Sequence, residues 1–255
     1  MRIRAVAFVY AVVAALVGVG ADVQAQSPGS VKVFASNGFR AVIEDLTARC
    51  EKAVGAKLTM QFGTSTSMLQ RVGSGEAFDV AVATTEAIDE LVKIGKVDAA
   101  TRTALGRSGI GIGVRHGAAK PDIKTEDAIK RTFVSAKSVS YAGDGASRPH
   151  IEAMFDALGI RSAMAPKSLL EQGSVRAAEK VASGQAELLI TLVSEILPAP
   201  GVDLVGSLPP RFQHPVSFAT AVGKSASNAA AGKALIKCLS GPEVTATLKA
   251  KGMER

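Results

Sequence analysis

Three short segments carry residue types suited to holding a small anion: Ser36-Asn37-Gly38, Thr64-Ser65-Thr66-Ser67, and Gly143 to Arg148. Hydroxyls and amides supply neutral donors, and glycine lets the backbone come close to a bound group. Each segment separates a short apolar run from a helical pattern. Each therefore predicts a strand-to-helix loop whose helix start offers unpaired N–H groups and the positive end of a dipole. A single loop of this kind is commonly only an N-cap, whereas three in related positions point to a shared anion site. Asn37, Gly38, Ser65, Thr66 and Ser147 are the candidate neutral contacts. Arg148, between Ser147 and Pro149 at a helix start, adds a full charge whose planar fork matches a carboxylate in bidentate fashion. It favours an organic carboxylate over a tetrahedral oxyanion, the competing reading being a solvated or ion-paired arginine. His116, His150 and His214 stand apart in sequence, unlike a metal cluster or a triad, so neither a metal nor a cofactor is expected. His150, close behind Arg148, could serve as a base near a bound acid.

The elements that must position these groups alternate. Val31 to Ala35 reads as a buried strand. Phe39, Val42, Ile43, Leu46, Cys50 and Ala53 then recur at three- and four-residue steps, one apolar helix face ending at Gly55. Strands follow at Lys57 to Phe62 and Phe78 to Ala83, with helices after each and Thr84-Thr85 leading into the second. Gly109 to Val114 alternates glycine with branched residues, a strand where backbones approach closely. It lacks the spacing and the following helix of a dinucleotide fingerprint. A second series runs through a helix near Thr125 to Arg131, strand Ser138 to Ala142, helix Pro149 to Leu158, helix Ser174 to Ala182 and strand Glu187 to Leu192. Strands Val202 to Gly206 and Ser217 to Val222 and helices Ala226 to Leu239 and Pro242 to Lys251 complete the chain. Such alternation predicts an α/β fold with mainly parallel sheets covered on both faces.

Residues 1–25 predict a cleaved export signal: Arg2 and Arg4, an apolar run from Ala5 to Gly20, and small residues at Val23 and Ala25. That core is shorter than the roughly 20 apolar residues of a membrane span. Thirty Lys and Arg against 23 Asp and Glu give a net charge of +7. The basic residues are scattered without an aromatic-plus-basic stripe, which argues against nucleic acid. The two cysteines, Cys50 and Cys238, permit one disulfide in an exported protein or two separate buried thiols.

Several stretches resemble the periplasmic molybdate-binding proteins and their organic-anion-binding relatives within the type 2 periplasmic binding fold. They are Val31-Lys32-Val33-Phe34-Ala35-Ser36, Phe62 to Leu69, Gly75-Glu76-Ala77-Phe78-Asp79-Val80, Ile94 to Asp98, and Leu239-Ser240-Gly241-Pro242-Glu243. The resemblance implies two lobes, residues 26–107 with 211–255 and residues 108–210, joined by crossing strands and closing on a solute. It places the helices bearing Cys50 and Cys238 in one lobe, which makes a bridge between them conceivable. Molybdate binders in that family use a Ser in each of the first two loops and a Tyr after a strand of the second lobe. Here the first position falls on Gly38 after Asn37, the second on Ser65 or Thr66, and the Tyr position near Val193, beside Ser194. Two expected oxyanion donors are therefore absent.

The expected function is that of a monomeric periplasmic protein that captures a small anion, preferably a carboxylate, for an inner-membrane ABC permease. The alternative is an isomerase, because the resemblance extends to a periplasmic aconitate isomerase. Proton transfer beside a carboxylate needs a base within hydrogen-bonding reach, for which His150, Glu195 and Asp144 are the candidates. A cytosolic regulator with the same fold is set aside by the export signal.

Overall fold

The computed structural model describes residues 29–255, so the predicted leader lies outside the described residues. The chain begins β1 (Val31–Ser36), α1 (Asn37–Val54), β2 (Leu58–Gly63), α2 (Ser65–Gly73), β3 (Val80–Thr84), α3 (Thr85–Lys93) and β4 (Thr103–Ser108). It continues with β5 (Ile110–Arg115), α4 (Glu126–Ser135), β6 (Val139–Ala142), α5 (Arg148–Ala157), α6 (Arg161–Met164) and β7 (Ser168–Glu171). The remainder is α7 (Ser174–Ala182), β8 (Leu188–Leu192), α8 (Val193–Ile196), β9 (Val202–Ser207), β10 (Val216–Val222), α9 (Ala229–Ser240) and α10 (Thr245–Ala250).

Apolar content decides where each strand sits. The central strands β3 and β8 are buried along their whole length, as strands with helices on both faces must be. The first sheet has the order β2-β1-β3-β10-β4 and the second β7-β6-β8-β5-β9. In each, four strands share one direction and a single strand opposes them: β10 runs antiparallel to β3 and β4, and β5 to β8 and β9. We call each sheet with its helices a lobe. The chain crosses between them twice, from β4 into β5 and from β9 back into β10.

The largest hydrophobic cluster is continuous between the lobes, including Val33, Phe39 and Phe218 on one side and Ile112, Leu192 and Phe155 on the other. Within the second lobe the glycine alternation of β5 lets its neighbours come close. A side chain at Gly113 would come within 2.8 Å of Val202, and one at Gly111 within 3.0 Å of Val193 and the Gly206 carbonyl. Helix α8 packs there directly on the strand.

Two strands escape a sequence reading. β4 buries only Leu105 and Ser108, and the four-residue β7 has no fully buried residue, so neither carries a clear alternation. The C-terminal helix predicted from Pro242 is a short 3-10 turn, Pro242–Val244, followed by α10. Cys50 on α1 and Cys238 on α9 are joined in a disulfide with Cα atoms 5.7 Å apart, across a sequence separation of 188. Closing so long a loop restricts the unfolded chain, an effect typically worth about 2–4 kcal/mol. The double variant Cys50→Ser, Cys238→Ser should lose about that much unfolding free energy in urea titration; an unshifted midpoint would deny the bridge a stabilising role.

Candidate functional site

Five helices start around one small cleft between the lobes. Ser36 and Asn37 mark the start of α1, Thr64 and Ser65 that of α2, and Thr84 that of α3, all from the first lobe. Ser147 opens α5 and Ser174 opens α7 from the second, with Gly145, Ala146, Thr191, Leu192 and Glu195 between them. The first turn of each helix carries N–H groups without intrahelical partners, so the cleft gathers donors and positive dipole ends from both sides. None of the lining residues is Lys, Arg or His. The free space is small, about 20 Å³, enough for about one or two waters.

Local hydrogen bonding leaves hydroxyls available to this space. Thr84 Oγ1 accepts from the Ala87 N–H at 3.3 Å and Ser65 Oγ accepts from the Thr84 N–H at 3.0 Å, so each oxygen is fixed while its own proton can point elsewhere. Ser36 and Ser147 precede α1 and α5 without placing a side-chain bond on those helices. Glu195 forms the floor. Its carboxylate accepts from Ser174 Oγ at 2.7 Å, from the Thr191 hydroxyl, and at 3.4 Å from the Leu192 N–H. Burial pushes this carboxyl above the usual range, with the Ser174 and Thr191 hydroxyls opposing the shift.

Of the residues singled out from sequence, the structure brings Asn37, Ser65, Ser147 and Glu195 to the cleft. Thr66 is exposed on the outer side of α2; of that helix only the N-cap Thr64 and first residue Ser65 line the cleft. Gly38 is buried in packing: a side chain there would lie 2.4 Å from Phe218 and 2.9 Å from Leu192. Ser194 also serves packing. Its hydroxyl donates to the Gly38 carbonyl at 2.8 Å and its N–H donates to Ser108 Oγ at 3.1 Å, tying the lobes together behind the cleft.

Arg148 is held away from the cleft by its own helix. Its Nε donates to Glu152 one turn on at 2.8 Å and its Nη1 to the Gly143 carbonyl at 2.7 Å, and Arg161 shares the same Glu152 carboxylate. Two arms of the fork are thus engaged within α5 and its preceding loop, and Arg148 does not line the cleft. His150 stacks on His214 with ring centroids 4.8 Å apart. Burial, and then the second imidazole, hold it below its usual range, while Glu86 pulls the other way. Neither ring lines the cleft. Asp144 spans the lobes instead, accepting from Thr64 Oγ1 at 2.9 Å and from the Gly173 N–H at 2.9 Å.

Thr84, Ser174 and Thr191 are cleft residues that loop composition alone did not single out. Thr84 and Ser174 did carry a signal, since each stands where a helix pattern begins. Thr191 had none, because it lies within a strand whose five residues are all buried.

Two α/β lobes crossed twice by the chain, with neutral donors from both facing one cleft, define a solute-binding protein of the periplasmic type. The chain belongs to the family of bacterial extracellular solute-binding proteins, which matches residues 31–254. It is 31% identical over 237 residues to an aconitate isomerase of a Pseudomonas species, covering 90% of this chain and 89% of that one. The Azotobacter vinelandii periplasmic molybdate-binding protein superposes with a TM-score of 0.74 at 18% identity, over 88% of this chain and 99% of that one. A sulfate-binding protein of Mycobacterium tuberculosis gives a TM-score of 0.68 at 20% identity, over 88% and 86%. At those identities the likeness is one of fold.

Asp144 is the side chain that joins the two walls of the cleft, so the closed arrangement should depend on it. Replacing it with Ala removes two hydrogen bonds, a charge-assisted pair worth roughly 1–3 kcal/mol. Asp144→Ala should therefore enlarge the radius of gyration in small-angle scattering, whereas an unchanged profile would show that closure does not need the clasp.

Proposed function

We propose that this chain is exported to the periplasm, binds a small organic anion through a carboxylate group in the cleft, and presents it to an inner-membrane ABC permease. The observation that carries this reading is the convergence of five helix starts and a ring of hydroxyls on one space without a fixed cation. An anion held by neutral donors keeps its charge uncompensated by any ion pair, so it can be gripped by many weak contacts and released when the lobes part. Contacts from both lobes supply the differential affinity that closure requires. The preference for a carboxylate draws support from the relative named as an aconitate isomerase, Arg148 lying outside the cleft lining.

Glu195 makes the reading testable through pH. An anion is favoured by the neutral carboxyl, which donates, and opposed by the ionised one. Because the carboxyl titrates above its ordinary range, affinity should be highest below that raised pKa and fall as pH rises through it. Calorimetry of carboxylates, sulfate and molybdate over a pH series measures this. Glu195→Gln should flatten the slope. Failure of every anion to bind the wild-type protein at any pH would sink the proposal.

A second reading is favoured by the same residue. Glu195 is the one ionisable side chain among those lining the cleft, and a carboxylate of raised pKa is a better base for taking a proton from the CH2 beside a bound carboxylate and returning it two carbons away, at the far end of the double bond, which shifts by one position. If the chain is an isomerase, aconitate incubated with it in D2O should interconvert between cis and trans forms with deuterium incorporation seen by NMR. Glu195→Gln should slow this by a factor of about 10²–10⁴. No interconversion by the wild-type protein would leave binding alone.

A further inference from the structure

The anion cleft is too small to take an organic molecule whole. About 20 Å³ of room accommodates a headgroup only, and the rest of the ligand has to leave through an opening. Beside the cleft lies a second cavity of about 470 Å³, and the two share Asn37, Ser174 and Glu195 as common walls.

This groove runs between helices of opposite lobes. Asn37, Arg40, Ala41 and Glu44 occupy positions i, i+3, i+4 and i+7 of α1, one continuous face. Val175 and Ala178 face them from α7, and Pro198 to Pro200 close one side. The groove therefore starts at the helix N-termini that hold the anion and follows both helices away from them. Its walls are largely apolar, and Val175 remains 45% exposed, an aliphatic side chain with little covering it.

The charges on its rim decide what the far end accepts. Arg40 donates to Glu44 at 2.7 Å and lies over the Phe62 ring at 4.6 Å, so its charge is already matched. Glu179 is left over on the opposite wall. The far end is thus neutral to negative and disfavours a second carboxylate.

We infer that the groove between α1 and α7 is a ligand subsite, taking the apolar body of an organic acid whose single carboxylate sits at the helix starts. This rests on the carrier reading above, not on the isomerase reading, whose substrate carries three carboxylates, and it adds the class of acid.

The test is calorimetry of the full chain with acetate, butanoate, hexanoate and adipate, with inorganic sulfate as a headgroup-only probe. Affinity should rise about fourfold per methylene from acetate to hexanoate, and adipate should bind more weakly than hexanoate. Val175→Ser, a neutral polar replacement at an exposed position, and Ala178→Leu, which narrows the groove, should each remove most of the chain-length gain while leaving acetate and sulfate unchanged. Thermal melts of both variants establish that they are folded. Equal affinities for acetate and hexanoate, or adipate bound more tightly than hexanoate, would overturn the subsite and leave anion capture standing. If neither sulfate nor any carboxylate binds, the anion-capture reading falls and the subsite with it.

Discussion

The start of α1 has to touch the second lobe, and much of the molecule is arranged around that contact. Gly38 brings the helix backbone against Phe218 of β10 and Leu192 of β8 with no room for a side chain. The Gly38 carbonyl then receives the Ser194 hydroxyl from the opposite lobe. Because Leu192 ends β8 and precedes α8, and Phe218 lies on β10 between β3 and β4 of the first sheet, one close approach links both sheets. It fixes where Ser36 and Asn37 stand relative to Ser174 and Glu195, and so sets the width of the cleft.

Around that fixed point the two sides of the cleft differ in how they are held. Behind it, a continuous apolar cluster and the Ser194 and Ser108 bonds make a dry, permanent seam. Across its mouth the Asp144 carboxylate of the second lobe accepts from Thr64 of the first and from the Gly173 N–H of its own lobe. Buried apolar contact costs much to separate, whereas one partly exposed charged hydrogen-bond pair costs little. The seam is therefore the side about which the lobes would turn, and the clasp is the side that would open. The disulfide between α1 and α9 lies within the first lobe, where it stiffens one jaw without restricting the hinge.

The absence of fixed cations from the lining gives Glu195 unusual weight. In a cleft built from hydroxyls and helix dipoles, one ionisable group sets how the site responds to protons. Its setting serves binding and proton transfer equally well, since both need a carboxyl shielded from water and held by neighbouring hydroxyls. Carrier and isomerase would thus differ by where a substrate carbon is placed against Glu195, a small geometric change on a common scaffold.

Much of this architecture was legible in the chain. Apolar runs of strand length, helices with one apolar face, and hydroxyl-rich joints between them dictate an α/β fold with anion-ready loops, because those patterns depend only on neighbours along the chain. Asn37, Ser65 and Ser147 were readable for the same reason: a donor just before or at a helix start points toward whatever the helix start faces. Tertiary structure decided the rest. Sequence spacing points Arg148 toward a ligand, but Glu152 and the Gly143 carbonyl engage it, and the packing of the opposite lobe turns Gly38 and Ser194 to each other. Thr191 and Ser174 enter the site only because Glu195 folds between them. Which donors remain free for a ligand is settled by which partners arrive first, and those partners come from residues far apart in sequence, brought together only by the fold.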